Sequence, residues 1–426
     1  MLNYGVGLLP KMVRVRQKFY APKLDDYISI LRRELEGAGL RDSVKPGAKI
    51  AITAGSRGIA HIVEILATLV NEVKEAGGKP FIVPAMGSHG GATPKGQLEI
   101  LRNLGITEES VGAPIYASME VEEVGRLSNG EPVYVDRIAL KSDGIIVVNR
   151  VKPHTDFKGR IESGLMKMIA VGLGKQKGAE IIHRYQLEGY HRLIPEAARL
   201  IIRRAPIILG VAIVENAYHE IAAIRALKPE EIEEEEPKLL EMAKDLMARI
   251  PFKEIDVLIV DEMGKDISGT GMDTNVIGRF WASPDEYENR APKIRRIVVL
   301  DLSEKSDGNA VGIGLADITT KRLFSKIDFE KTFANCLTST WPELAKIPPF
   351  LPNDRDAILM AIRCCGPIDP LKAKIVRIKN TLELEYMWIS ESLYEIVKQN
   401  RELAEHIEVL GEPEEMQFDI LGNLAR

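Results

Sequence analysis

Two histidines stand in polar stretches that each follow an apolar run, His89 in "GSHGGAT" (87–93) and His154 in "KPHTDFKGR" (152–160). An imidazole titrates near neutral pH, so each can take or give a proton. Two of them at the ends of separate strands suit a reaction that works on either face of one carbon. From Lys152 to His183 the chain holds a second histidine, five lysines and an arginine among scattered glycines. Cations and backbone freedom at that density suit an anionic ligand. Arg57, in "GSRG" (55–58), offers a fork for a carboxylate, or an ordinary surface ion pair. Gly172, Gly174 and Gly178 in "VGLGKQKGAE" read G-x-G-x-x-x-G, one residue off the dinucleotide fingerprint, which disfavours an NAD-type dehydrogenase. A helix expected to begin near Lys177 would offer free N–H groups to a phosphate, and a flexible turn before a helix explains the same residues equally well. His183, alone on that helix, reads on its own as satisfied structure rather than as a metal ligand.

These loops need strands to hold them. "KIAITA" from Lys49 is a short apolar run broken by "GSRG", and apolar residues at 59, 62, 63, 66, 69, 70 and 73 then make a helical stripe. "AGGKP" stops that helix and "FIVPA" is the next strand, which completes a βαβ unit and predicts a parallel sheet. Further buried strands are expected at 144–149, 207–214, 256–261 and 296–302. The acidic run 228–252 reads as a solvated helix leading out of the first unit, and 346–356 as a proline-rich loop. The fold class expected is α/β, two domains with mainly parallel sheets and a cofactor cleft between them. The first would span 1–250 and the second 251–426, with the last ~20 residues packing back on the first. Ligands collect beyond the carboxyl ends of strands in such sheets, so "GSRG", "GSHGGAT", "KPHTDFKGR" and "GKDISGTGMDTN" (264–275) are expected to converge on one cleft.

Composition narrows the function classes. A net charge of −5 over 426 residues argues against a general nucleic-acid binder, yet leaves room for a local basic pocket. No run reaches the roughly 18 apolar residues of a membrane span, and the first residues lack the pattern of a signal peptide. Cys336, Cys364 and Cys365 show neither a disulfide framework nor zinc-finger spacing, so a cytoplasmic protein is expected.

Taken together, "AGSRG", "AMGSHGGAT" and above all "PHTDFKGRIESGLMKMIAVGLGKQKGAEIIH" resemble the nickel-pincer lactate racemase family, best over the N-terminal two thirds. The resemblance implies a cofactor, the nickel-pincer nucleotide (a pyridinium-3-thioamide-5-thiocarboxylic acid mononucleotide), joined to a lysine, with nickel bound by a histidine sixteen residues later. Lys167 and His183 stand sixteen apart here. It further implies His89 and His154 as the acid/base pair and Arg57 as the carboxylate grip. Ser56, Gly87, Gly172, Gly174 and Lys175 would hold the cofactor, with Lys265 on the substrate; Asp273 and Asn275, which stand where the family differs, add groups suited to substrate hydroxyls. A 2-hydroxy acid is the substrate class implied, cofactor-biosynthesis enzymes are partners for loading, and neither nucleic acid nor membrane is expected. Two departures stand out. Ala54 occupies a position where the family has aspartate, and "GKDISGTGMDTNVIGR" keeps Lys265 and Asp266 but lacks the family's tyrosine-glutamine-lysine cluster. A roomier, hydroxyl-reading pocket follows as an expectation, which admits a sugar-acid epimerase with the same cofactor. A non-catalytic nucleotide- or metal-binding protein is the remaining alternative.

Overall fold

The computed structural model describes residues 8–280 and 290–425, so the first seven residues of the stretch read for a leader lie outside it. The chain divides into two compact units, 20–247 and a second made of the first 19 residues with 248–426.

In the 20–247 unit five strands form one sheet in the order Lys79–Pro84, Lys49–Ala54, Gly144–Arg150, Ile207–Glu215, Ile221–Leu227. The first four run parallel and the last is antiparallel. Side chains along a strand alternate between faces, and both faces here are buried. Ile50, Ile52, Ile146, Val148, Leu209 and Val211 enter one core cluster, while Ala51, Ile145, Val147, Ala212 and Val214 enter the other. That is why these strands read as unbroken apolar runs rather than as alternation. Helix Ile62–Glu75 covers the first face with Ile62, Leu66, Leu69, Val70 and Val73 of the predicted stripe, and with Ile65, which the stripe did not include. Helices Ile194–Arg204 and Ile232–Leu246 help cover the second.

The second of these corrects the sequence reading of the acidic run. Ile232, Glu236, Leu240, Ala243 and Leu246 are buried, so one face of the helix is core and only the rest is solvated. Because strands Lys79–Pro84, Lys49–Ala54 and Gly144–Arg150 are parallel neighbours, the loops that follow them leave the same edge of the sheet. That edge carries Arg57, His89 and His154.

The second unit is built on an eight-stranded sheet in the order Phe350–Leu351, Ile318–Thr320, Lys293–Val299, Glu254–Val260, Ile375–Ile378, Tyr386–Ser390, Met12–Gln17, Ile407–Val409. The first five strands are parallel and the remaining pairings antiparallel. Strand Met12–Gln17 therefore belongs to this sheet, although the sequence reading placed everything before 250 in the first domain. Its Val13 and Val15 are buried, with Arg14 on the open face. The last residues also stay with this unit. Met416, Phe418 and Leu424 pack on the cluster around Val257, Ile259 and Ala357, and Arg322 bonds both Asn423 and the buried Asp354. The proline-rich 346–356 stretch is not all loop, since it holds strand Phe350–Leu351 and the start of helix Asp354–Arg363. Among the described residues no helix is long and apolar enough to cross a membrane.

Candidate active site

The loop after strand Lys79–Pro84 turns through Gly87, Gly90 and Gly91, all at positive φ, and carries His89 on its outer bend. Gln97, fully buried on the following helix, holds the turn by donating to the carbonyls of Gly87 at 3.1 Å and His89 at 3.4 Å. Ser56 Oγ, from the neighbouring loop, bonds His89 Nδ1 and so orients the imidazole. Two of the predicted loops are thereby joined side chain to side chain.

His154 is more deeply set, at 9% exposure. Its backbone N–H donates to Glu162 Oε2 at 2.7 Å, and Lys158 Nζ donates to its carbonyl at 2.9 Å. Its ring lies 4.5 Å from that of Phe157, which stacks on Tyr190 at 4.6 Å. The backbone N–H of Asp156 donates to Nδ1 at 3.0 Å, so that nitrogen is an acceptor. In a neutral imidazole the proton then sits on Nε2. Nε2 meets Lys167 Nζ, and its N–H can donate there only to an unprotonated amine. Burial first, and then the charges of Lys167, Lys152 and Lys158, hold the His154 pKa well below the usual range. Burial likewise brings the Lys167 amine down to about 8, with Asp156 opposing and Arg57 assisting. Burial thus loosens the Lys167 proton, which leaves at about pH 8 beside His154.

Lys167 ends the turn Leu165–Lys167, which runs into a π-helical turn, Met168–Gly172. Such turns recur at functional sites because they displace side chains from the regular spiral. His183 lies on helix Lys175–Arg184, two residues earlier in its start than expected. Its ring meets Tyr190 edge-on at 5.9 Å. Burial, then the Lys167 charge, lowers its pKa to about 4, so the ring is neutral at physiological pH. Arg57 is felt by the same group, and its own pKa is lowered by the surrounding protein and by Arg150. Arg57, His89, His154, Lys167 and His183 thus occupy one edge of one unit.

Other expected residues lie elsewhere. Lys175 is fully buried, paired with Asp136 Oδ2 at 3.0 Å and donating to Gln97 Oε1 at 3.2 Å and the Pro84 carbonyl. It ties the helix to the sheet, and an ammonium so placed is not available to a phosphate. Gly172 and Gly174 are contact glycines. A Cβ on Gly172 would lie 2.8 Å from the Ala85 carbonyl oxygen, and one on Gly174 2.6 Å from that of Ala170. Gly87 N–H reaches the Gly172 carbonyl at 3.3 Å, so this pair stitches the His89 loop to the π-turn.

In the second unit, Asp273 caps the short helix Thr274–Ile277, accepting from the Asn275 backbone N–H at 2.9 Å and from its side-chain amide at 2.8 Å. The hydroxyl-reading pair is thus engaged with itself, which removes the support it lent to a polyhydroxy substrate. Lys265 Nζ donates to the Gly269 carbonyl at 2.6 Å.

The sequence reading missed Phe157, Tyr190, Glu162 and Glu236. Tyr190 lies on the π-helical turn Gly189–Leu193, beyond the end of the His183 helix, so no spacing in the sequence announced that it meets His183.

Fold and site together define a two-unit α/β protein with a histidine–lysine cluster at the carboxyl edge of a parallel sheet. The model of the lactate racemase N-terminal domain matches residues 11–191 of this chain. Among solved structures, the lactate racemase apoprotein from Thermoanaerobacterium thermosaccharolyticum is similar in fold, with a TM-score of 0.53 at 13% identity over 88% of this chain and 99% of that one. No curated protein matches the chain significantly.

Proposed function

We propose that this protein is an isomerase, a racemase or epimerase of a 2-hydroxy acid that works with a nickel-pincer nucleotide joined to Lys167. The observation that carries the reading is the Lys167 amine, lowered to about 8 and set against His154 Nε2, with a neutral His183 on the following helix. These donors fit the cofactor. An amine that loses its proton near neutral pH can form a thioamide, and a neutral imidazole suits nickel alongside sulfur donors. The glycine turn fits a phosphate poorly, because Gly172 and Gly174 are packed and Lys175 is buried. When bound, the cofactor supplies reversible hydride acceptance, which avoids forming a carbanion beside a carboxylate.

The chain's own residues do the rest. Arg57 pairs with the substrate carboxylate. One of His89 and His154 takes the hydroxyl proton, and the other returns one on the opposite face. Ser56 keeps His89 in orientation, and the Phe157–Tyr190 stack keeps water from His154. The test is to give cofactor-loaded enzyme single enantiomers from a panel of 2-hydroxy acids without added oxidant. Appearance of the opposite configuration supports the reading, and its absence across the panel overturns it.

A further inference from the structure

Glu236 has no part in the chemistry above, yet it touches the element that carries it. It stands in the run of glutamates 233–236 on helix Ile232–Leu246, and its side chain is fully buried. Its Oε2 accepts the backbone N–H of Met166 at 2.9 Å, and the N–H of Leu165 also acts on the carboxyl. These are the first N–H groups of the turn Leu165–Lys167, which have no partner within a helix. An apolar residue at 236 would leave them buried and unpaired. The carboxyl reaches them because residue 164 is glycine, where a Cβ would lie 2.5 Å from the Glu236 carboxyl carbon. Asn149 Nδ2, at the end of the central strand, donates to the Gly164 carbonyl at 2.8 Å and holds the other side of the turn. The same helix carries Lys244 two turns on, whose Nζ lies 3.2 Å from Glu162 Oε1, and Glu162 Oε2 in turn holds the His154 backbone.

We propose that Glu236 is a positioning residue: by capping the turn Leu165–Lys167 it sets the Lys167 amine against His154. The proposal rests on the reading of Lys167 as the activated amine. With Lys244 acting through Glu162, a single helix then fixes both halves of the lysine–histidine pair.

The test uses the purified full chain, without cofactor, pulsed with acetic anhydride at pH 8 and mapped by peptide mass spectrometry. Lys167 acetylation, measured against exposed Lys95, should fall about fivefold in Glu236→Ala, the change that a rise of the amine pKa from about 8 to about 9 gives at pH 8. Glu236→Gln, whose amide oxygen still accepts from Met166, should stay within about twofold of the wild type. Gly164→Ala, which crowds the carboxyl without removing it, should show the same loss and covers the case in which Glu236→Ala does not fold. Wild-type labelling in Glu236→Ala or Gly164→Ala, or an equal loss in Glu236→Gln, overturns the proposal. A wild-type Lys167 that titrates like an exposed lysine would instead sink the reading of that amine. Glu236 is then judged by hydrogen exchange of the Leu165 and Met166 amides, which capping requires to be fast in Glu236→Ala and slow in Glu236→Gln.

Discussion

Lys167 and Lys175 are eight residues apart on either side of the π-helical turn Met168–Gly172, and their surroundings give them opposite uses. Lys167 faces a neutral imidazole with Asp156 as a weaker counter-charge, so burial wins and its proton is loosened. Lys175 is also pushed down by burial, but Asp136 at 3.0 Å offsets it and keeps the ion pair. Removing one partner of a buried pair leaves the other charge uncompensated, so Lys175→Met should destabilise the protein by about 3–5 kcal/mol in urea unfolding. Lys177→Ala, on the exposed side of the same helix, should cost under about 1 kcal/mol. For the acid/base pair, His89→Ala and His154→Ala should each lower the racemisation rate at least ~10²-fold with cofactor still bound. Near-normal rates in both directions for either variant would rule out a two-base mechanism. Arg57, His89 and His154 could be read from the sequence because polar groups followed apolar strands. Lys175 could not, since nothing local announces that a lysine points at Asp136 in another hairpin.

Helix Ile232–Leu246 shows how an element can be misread. Its charged residues outnumber the apolar ones, yet Ile232, Glu236, Leu240 and Ala243 recur at helical spacing and form its buried face. The stripe was visible, and the glutamate inside it was the sign of a specific partner. Burial raises the Glu236 pKa to about 7 from an ordinary value of 4.5, against the two N–H groups that lower it. The native state therefore binds the proton more tightly than the unfolded chain. This contribution to stability is fully present below about pH 4.5 and is lost as pH rises toward 7. Glu236→Gln cannot ionise, so its stability relative to the wild type should rise between pH 5 and about 8 in paired denaturation curves. A constant difference across that range would mean the carboxyl is already ionised. The parallel strands were easier, because burial on both faces leaves an apolar run that needs no partner to be recognised. Strand Met12–Gln17 alternates plainly, but its partner Tyr386–Ser390 lies more than 360 residues away, so the sequence could not say which sheet it joins.

At the scale of the whole chain, the 20–247 unit holds Arg57, Ser56, His89, His154, Lys167 and His183. The residues expected to read the substrate, Lys265, Asp273 and Asn275, belong to the other unit, where Asp273 caps a short helix and accepts from Asn275. The family resemblance supplied what residue chemistry alone did not, the expectation that Lys167 and His183 act together across sixteen residues. The structure gives that spacing a physical content, a loosened amine and a neutral imidazole that feels its charge. The most direct measurement is peptide mass spectrometry of the protein co-produced with the cofactor's biosynthetic enzymes, alongside Lys167→Ala and Lys167→Arg. A cofactor adduct confined to Lys167 and lost in both variants is the expected result. An adduct on Lys158 or Lys175, or one that survives either substitution, would contradict it.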